Sequence, residues 1–515
     1  MVDFLSRCVR INREIEIRIK NVVFVKEVTM LKEDSTIGNI KHEVLRKVAK
    51  YTYQGALEEN IYKIPFEIIP GPQANFRCCI YKEREIIRQR IKLAKGERLS
   101  GDKEDKNVVQ VISSACEGCP ITRFVVTDNC QKCMSKKCQQ SCNFGAISML
   151  RDRAYIDPHK CKECGKCSKA CPYNAIADLM RPCKRSCPVN AISMDENHIV
   201  VIDKKKCIQC GSCIKDCPFG AIGDVSSLVD VINELNRKDK KVYAMVAPAG
   251  EGQFGADVPM GALREAIKAL GFEDMYEVAL GGDLVADSEA KEWAEAYKEE
   301  KKMTTSCCPA FVNMIRIHFP QLLNNMSTTV SPMASVSRMI KKMDEEAITV
   351  FIGPCIAKKS EIVDESVKEN ADYVLTFEEL DAMFHARKVN PADYSCELQQ
   401  GSIYGKHFGN AGGVTKAVEE ALKEHGEELS IRVRQCSGAA ECKKALTLLK
   451  AGRLPEDFIE GMACEGGCVN GPGSVRPELL AKKDRETLLS QADGRKIVPT
   501  IEPYQEKYEF SMHRK

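Results

Sequence analysis

Sixteen of the chain's 27 cysteines fall between residues 116 and 217, and no other feature restricts the fold so tightly. Cys161, Cys164, Cys167 and Cys171 stand as C-x2-C-x2-C-x3-C before Pro172, and Cys207, Cys210, Cys213 and Cys217 repeat that spacing before Pro218. Three cysteines on one tight loop wrap a corner of an iron–sulfur cubane, and a more distant fourth closes it. In the bacterial two-cluster pattern the fourth cysteine of each run serves the other cluster. The pattern predicts the sets Cys161, Cys164, Cys167, Cys217 and Cys207, Cys210, Cys213, Cys171. Zinc motifs rarely run four cysteines with this proline.

A less regular group surrounds this pair. Cys130, Cys133, Cys138 and Cys142 resemble one half, while the other half is split, with Cys116 and Cys119 before it and Cys183 and Cys187 after it. By analogy with the first pair, the expected sets are Cys130, Cys133, Cys138, Cys187 and Cys116, Cys119, Cys183, Cys142. The phrases NFGAI, PYNAI, PVNAI and PFGAI follow Cys142, Cys171, Cys187 and Cys217. Such repetition indicates duplicated ferredoxin-like units. Between residues 130 and 187 twelve Lys or Arg stand against four Asp or Glu. That excess either balances negatively charged clusters, steers an acidic carrier such as ferredoxin, or forms a solvated basic surface.

The remaining numbers set the frame. A chain of 515 residues implies three or four domains. Its 44% hydrophobic and 29% charged content is that of a soluble globular protein. A net charge of +3 makes no case for nucleic acid or membrane. The N-terminus has no apolar secretion segment, and no run approaches the roughly 20 apolar residues of a membrane helix. The expected location is the cytoplasm, with thiols reduced or metal-bound. Residues 1–108 read as an N-terminal domain without an assigned function. In it, IEIRIKNVVFVKEV alternates like strands, Ser35 caps a helix toward Tyr51, Tyr81 to Lys95 reads as a solvated amphipathic helix, and GERLSGDKEDKN reads as a linker. Residues 109–224 hold the cysteine ladder, and residues 225–515 alternate helix and strand in α/β fashion.

Three motifs in that last region supply four thiolates from distant loops and one spare thiol. They are Thr305-Ser306-Cys307-Cys308-Pro309, Gly353-Pro354-Cys355-Ile356-Ala357-Lys358-Lys359, and Glu460-Gly461-Met462-Ala463-Cys464-Glu465-Gly466-Gly467-Cys468. They resemble the signature loops of the iron-only (FeFe) hydrogenases, as do Ala247-Pro248, Gly281-Gly282-Asp283-Leu284 and the Phe408–Val414 run in the same order. The resemblance implies a two-lobed α/β H-cluster domain, preceded by ferredoxin-like α+β cluster domains and a small mixed α/β N-terminal domain.

It further implies that Cys308, Cys355, Cys464 and Cys468 ligate the cubane of an H-cluster. Cys468 would bridge to a two-iron subcluster carrying CO, cyanide and azadithiolate, installed by maturation proteins. Cys307 matches a proton-passing cysteine, and Lys358 a lysine that hydrogen-bonds cyanide. Met462 matches a methionine packed on the subcluster, and Ala247, Pro248 and Ala249 residues that approach its bridgehead. Glu289 and Glu292, one helical turn apart, match the proton-path glutamates, and Thr328 falls where the family often has a relaying serine. The sequence departs from the pattern in four places: Gly353 replaces Met, Phe311 replaces Trp, Met333 and Ala334 replace polar residues, and Asn470-Gly471-Pro472-Gly473 replaces a Gly-rich stretch with Gln.

The implied activity is reversible H2 oxidation and proton reduction. Four accessory 4Fe–4S clusters would carry electrons to ferredoxin or a similar low-potential carrier. An H2 sensor with a slow H-cluster and an iron–sulfur assembly factor are the alternatives. No nicotinamide fingerprint follows a strand.

Overall fold

The computed structural model describes residues 36–101 and 105–514. Two compact units divide the chain, one made of residues 111–207 and 212–223, the other of the remainder.

The larger unit is built on two parallel sheets. One has the strand order Asp274–Glu277, Val242–Val246, Ile348–Gly353, Tyr373–Thr376, with every pair parallel. Its central sequences, VYAMV and ITVFIG, are almost continuously apolar, as strands covered on both faces must be. The other sheet sets Phe458–Met462 between Met303–Thr304 and Val433–Ser437, again parallel. Parallel strands all deliver their loops at one edge, where ligand sites form.

The Val278–Lys298 helix packs on the Pro332–Met343 and Gly413–Glu424 helices. It comes that close because Gly281 has no side chain: a Cβ there would lie 2.3 Å from Pro332 O. Two residues on, Asp283 accepts from the backbone N–H of Ser402 at 2.6 Å and from its hydroxyl. The Gly-Gly-Asp-Leu landmark is therefore a packing device that seats this helix.

The segment before the ladder is described from residue 36 onward. Among the described residues 36–101 every regular element is a helix, and these helices share one core with the larger unit. Val44, Val48, Ile87 and Ile91 pack in the same cluster as Leu228, Ile232 and Phe384. Lys41 reaches Glu378 at 2.5 Å and Asp224 at 3.5 Å. The helix expected from Tyr81 runs Ile80–Ala94, but it is structural rather than solvated: Ile86, Ile87 and Ile91 are buried. Its Glu83 is wholly buried and accepts the backbone amides of Asn75, Phe76 and Arg77. Asp105 and Asn107, expected in a linker, are also buried. Ser35 and the alternating run before it lie outside the described residues.

The smaller unit is nested. Phe124–Val126 pairs antiparallel with Ile176–Asp178 and closes one ferredoxin-like module around the hairpin Ile147–Met149/Ala154–Ile156. A second hairpin, Ile192–Met194/Val200–Ile202, follows it in the chain. Outside the first module, Ile112 N donates to Ala221 O at 2.8 Å, continuing the pairing of Val109–Val111 with Ile222–Asp224. One module is thus inserted into the chain of another.

Each phrase of the repeat has a geometric reason. Its third residue after the cysteine, Gly145, Asn174, Asn190 or Gly220, takes positive φ, which glycine and asparagine tolerate best. That turn points the next amide back at the sulfur. The N–H groups of Ala146, Ala175, Ala191 and Ala221 donate to the sulfurs of Cys142, Cys171, Cys187 and Cys217 at 3.2–3.4 Å.

Candidate active site

Four strand ends of the larger unit meet at one cavity. Cys307 and Cys308 follow Met303–Thr304, Cys355 and Lys358 follow Ile348–Gly353, Cys464 and Cys468 follow Phe458–Met462, and Ala247-Pro248-Ala249 follows Val242–Val246. All of these residues line a cavity of about 90 Å3 together with Met333, Phe351, Phe408 and Met462.

The third loop is locked by close backbone approach. Gly467 takes φ +94° with its Cα facing Gly409 O, and Cys468 N donates to that same oxygen at 2.7 Å. Gly471 lies so close to Pro354 that a Cβ would sit 2.5 Å from its carbonyl oxygen.

Burial and mutual repulsion hold the thiols in their neutral form. Burial, then Cys355, Cys468 and Cys308, push Cys464 well above the usual thiol range. Burial and the same kind of neighbours push Cys355 up to about 12 and Cys468 up to about 11. Cys464 has Cys355, Cys468 and Cys308 as charge neighbours, and Cys308 also neighbours Cys355 and Cys468, so the four sulfurs form one group. Such a group takes up thiolate charge only against a bound metal, whose binding releases the protons. This donor set fits an iron–sulfur cubane.

Lys358 is buried and donates to Glu361 at 2.6 Å, with its ammonium 3.4 Å from Cys307 O and over the Phe351 ring. Lys359 is buried too, between Asp224 and Glu379 at 2.7 and 2.8 Å. Read without their motif, the two lysines resemble ordinary surface residues; the structure encloses both.

Two departures have a packing cause. A Cβ on Gly353 would lie 2.7 Å from the Phe351 ring and 3.0 Å from Ala247 Cβ, so Phe351 fills the space that a Met would need. Phe311 covers Gly461, where a Cβ would stand 2.4 Å from the ring.

Behind Cys307 the Val278–Lys298 helix brings up Glu289, which is fully buried. Neither of its carboxyl oxygens has a hydrogen bond of normal geometry. Burial first, then the charge of Glu292, push it up to about 8, against the pull of the Ser327 hydroxyl and the Ser306 amide. Cys307 rises well above its usual range through burial and then the charges of Glu289 and Cys308.

The hydroxyl beside Glu289 is therefore that of buried Ser327, whereas Thr328 turns outward to Glu292 and is exposed. Neighbouring residues of an extended segment face opposite ways, so the expected order Glu289, Thr328, Glu292 is corrected at its middle member. Thr329 Oγ1 also donates to Glu292, at 3.2 Å, and shares a 2.8 Å hydrogen bond with Ser288. Ser327, Glu361 and Phe351 were missed because hydroxyl, acid and ring carry no signal of their own at these spacings.

The ladder cysteines group differently from the expected sets. The thiol neighbours of Cys138 are Cys171, Cys133 and Cys130, and those of Cys167 are Cys161 and Cys142. Burial, then Cys217, Cys119 and Cys116, push Cys183 up to about 11, and Cys119 likewise faces Cys217 and Cys116. Cys171, Cys142 and Cys217 thus lie among thiols of their own modules, whose paired terminal strands fold the two halves together. These neighbours differ from those in the expected sets, which joined Cys217 to Cys161, Cys171 to Cys207 and Cys142 to Cys116. In the larger unit, the 208–211 segment packs at Gly211 against Pro472 and Ile356, and Cys210 is a charge neighbour of Cys464.

Residues 240–472 match the family described as the iron-only hydrogenase large subunit, C-terminal domain, residues 181–221 a 4Fe-4S dicluster domain, and residues 154–177 a 4Fe-4S binding domain. The chain is 31% identical to iron hydrogenase 1 of Clostridium pasteurianum over 64% of its own length, spanning just under two thirds (66%) of that protein. It is also 31% identical to the periplasmic [Fe] hydrogenase large subunit of Nitratidesulfovibrio vulgaris, covering 64% of this chain and 89% of the other. Human nuclear prelamin A recognition factor is 24% identical over 44% of this chain and 61% of its own. A solved [FeFe]-hydrogenase structure from Chlamydomonas reinhardtii superposes with a TM-score of 0.47 at 22% identity, covering 56% of this chain and 95% of that one. With its own loop substitutions and a nested pair of ferredoxin-like modules, the chain belongs to the iron-only hydrogenase family.

Proposed function

We propose that the protein is a cytoplasmic, ferredoxin-linked hydrogenase that interconverts H2 with protons and electrons. One observation carries this reading: the spare thiol Cys307 stands between the four grouped thiols and a buried carboxyl, Glu289. An H-cluster held by Cys308, Cys355, Cys464 and Cys468 would supply the redox chemistry and H–H cleavage.

Around it, the chain's own residues have separable tasks. Lys358 presents a buried ammonium to the cavity, suited to an anionic ligand such as cyanide. Ala247, Pro248 and Ala249 form a wall of small residues, and Met462, Met333 and Phe408 exclude water. Cys307 holds a proton at Sγ, Glu289 holds one at its carboxyl, Ser327 is the hydroxyl beside Glu289, and Glu292 with Thr328 forms the outer group. Glu289, pushed up to about 8, sits near the working pH that efficient proton transfer favours.

The sixteen ladder cysteines would hold four 4Fe–4S clusters in the sets Cys130, Cys133, Cys138, Cys171; Cys161, Cys164, Cys167, Cys142; Cys116, Cys119, Cys183, Cys217; and Cys207, Cys210, Cys213, Cys187. Amide hydrogen bonds to the closing sulfurs raise cluster potentials.

Anaerobically matured protein should evolve H2 from reduced viologen or ferredoxin, show infrared bands of bound CO and cyanide, and lose most turnover in Cys307→Ser. Absence of those bands would favour an assembly-factor role. Bands with negligible turnover would favour an H2 sensor. No helix among the described residues is long and apolar enough to cross a membrane.

A further inference from the structure

The segment Ser511–Arg514 is stitched onto the outer end of the glutamate pair. Val330 N donates to Met512 O at 2.8 Å and Arg514 N to Thr328 O at 2.7 Å, and Thr329 and His513 form an antiparallel bridge. The Arg338 guanidinium holds the carbonyls of Ser511 and His513, and Arg514 Nη2 donates to Ser306 O at 3.0 Å. This clamping fixes one side chain over the exit. His513 Nδ1 lies 2.9 Å from Thr328 Oγ1 and 3.3 Å from Glu292 Oε1, and the imidazole is 53% exposed.

The two carboxyls inward of that ring are shielded. The Glu292 side chain is 16% exposed and Glu289 is wholly buried. The charged groups around His513 are Glu292 and, a turn inward, Glu289 from the Val278–Lys298 helix, Arg338 from the Pro332–Met343 helix, and its neighbour Arg514. The Arg514 guanidinium turns away toward Ser306 O and Asp364, which also pairs with Arg316. Among the described residues only His513 both touches the Glu292–Thr328 pair and stands half in solvent. Histidine is also the side chain whose proton exchange suits neutral buffer.

We propose that His513 is the solvent terminus of the proton path, exchanging protons with buffer and acting on the reaction through Glu292. The proposal rests on the hydrogenase reading. Its step is balanced: during H2 oxidation a proton leaves the Glu292 carboxyl for an imidazole nitrogen and then a buffer base, and during evolution it travels back.

The test uses the full chain. His513→Ala and His513→Gln should each lower H2 turnover roughly tenfold or more, in line with the loss of a positioned proton-transfer group. Added imidazole should restore the rate of His513→Ala in proportion to its concentration, and the pH–rate profile of both variants should differ from that of native protein. Independently of turnover, 15N spectra of metal-free protein should show the His513 ring signal moving in Glu292→Gln. Native rates, an unchanged pH profile or failure of imidazole rescue would overturn the proposal, as would a His513 signal indifferent to Glu292→Gln. If native protein carrying the two-iron subcluster turns over no H2, the hydrogenase reading fails instead, and the NMR result alone decides whether His513 and Glu292 are coupled.

Discussion

Lys358 and Glu361 form a buried ion pair at 2.6 Å, three residues apart on one short helix, with the ammonium also 3.4 Å from Cys307 O. Removing one member leaves the other charge enclosed and unpaired. Lys358→Met should therefore destabilise the protein by roughly 3–5 kcal/mol. Lys358→Met/Glu361→Met should recover most of that loss while still failing to retain the two-iron subcluster. Thermal melting and infrared spectra read the two effects separately.

Glu289 gives a pH prediction with a definite sign. Burial raises it to about 8 in the folded chain, above the ordinary carboxylate range, so the native state binds the proton more tightly than the unfolded chain. Its stabilising contribution is complete below the unfolded value and is lost as pH rises through the folded value. Glu289→Gln removes this dependence. The variant should melt higher than native protein above pH 8, by up to a few kcal/mol at about 1.4 kcal/mol per tenfold change in proton affinity. It should also be nearly inactive. Melting curves from pH 5 to 9 with parallel turnover assays check both.

Gly353→Met, which restores the family's residue, should be harmful here. The new side chain meets the Phe351 ring and Ala247, and overpacking of this kind costs about 1–3 kcal/mol. Gly353→Met/Phe351→Ala should recover stability, because the second change opens the space. Unfolding midpoints of the three variants decide it.

The ligand sets are tested by iron counting. Cys138→Ala/Cys171→Ala should lose no more iron than either single change, since both would strike one cluster. Cys138→Ala/Cys142→Ala should lose twice as much. The same holds for Cys183 with Cys217 against Cys183 with Cys187. Iron and sulfide content per chain, with EPR of the reduced protein, gives the answer.

How far the sequence reaches is visible at particular residues. The three loop motifs were legible because metal-binding thiols leave fixed spacings, and parallel strands then bring those loops to one cavity. The closing partners of Cys142 and Cys171 were not, because four nearly identical phrases fit several pairings and only strand pairing separates them. Ser327 and Thr328 carry the same functional group one position apart, and only the backbone's alternation tells them apart. The Ile80–Ala94 helix misled because its charged residues dominate its composition while Glu83 and Arg90 are in fact buried. His513 lies nearly two hundred residues from Thr328 in sequence, and no local pattern joins them.

The insertion in the smaller unit also has a consequence for ancestry. The ends of the inserted module lie side by side: Leu179 N donates to Arg123 O, and the Arg123 guanidinium grips both oxygens of Asp178 at 2.9 Å. If residues 121–180 are skipped, Cys116, Cys119, Cys183 and Cys187 stand as C-x2-C-x3-C-x3-C before Pro188, close to an uninterrupted ferredoxin motif. A cassette with adjoining ends can enter a loop without altering its host's register. The extra pair of sites reads as a graft, a wire lengthened by splicing one carrier into another.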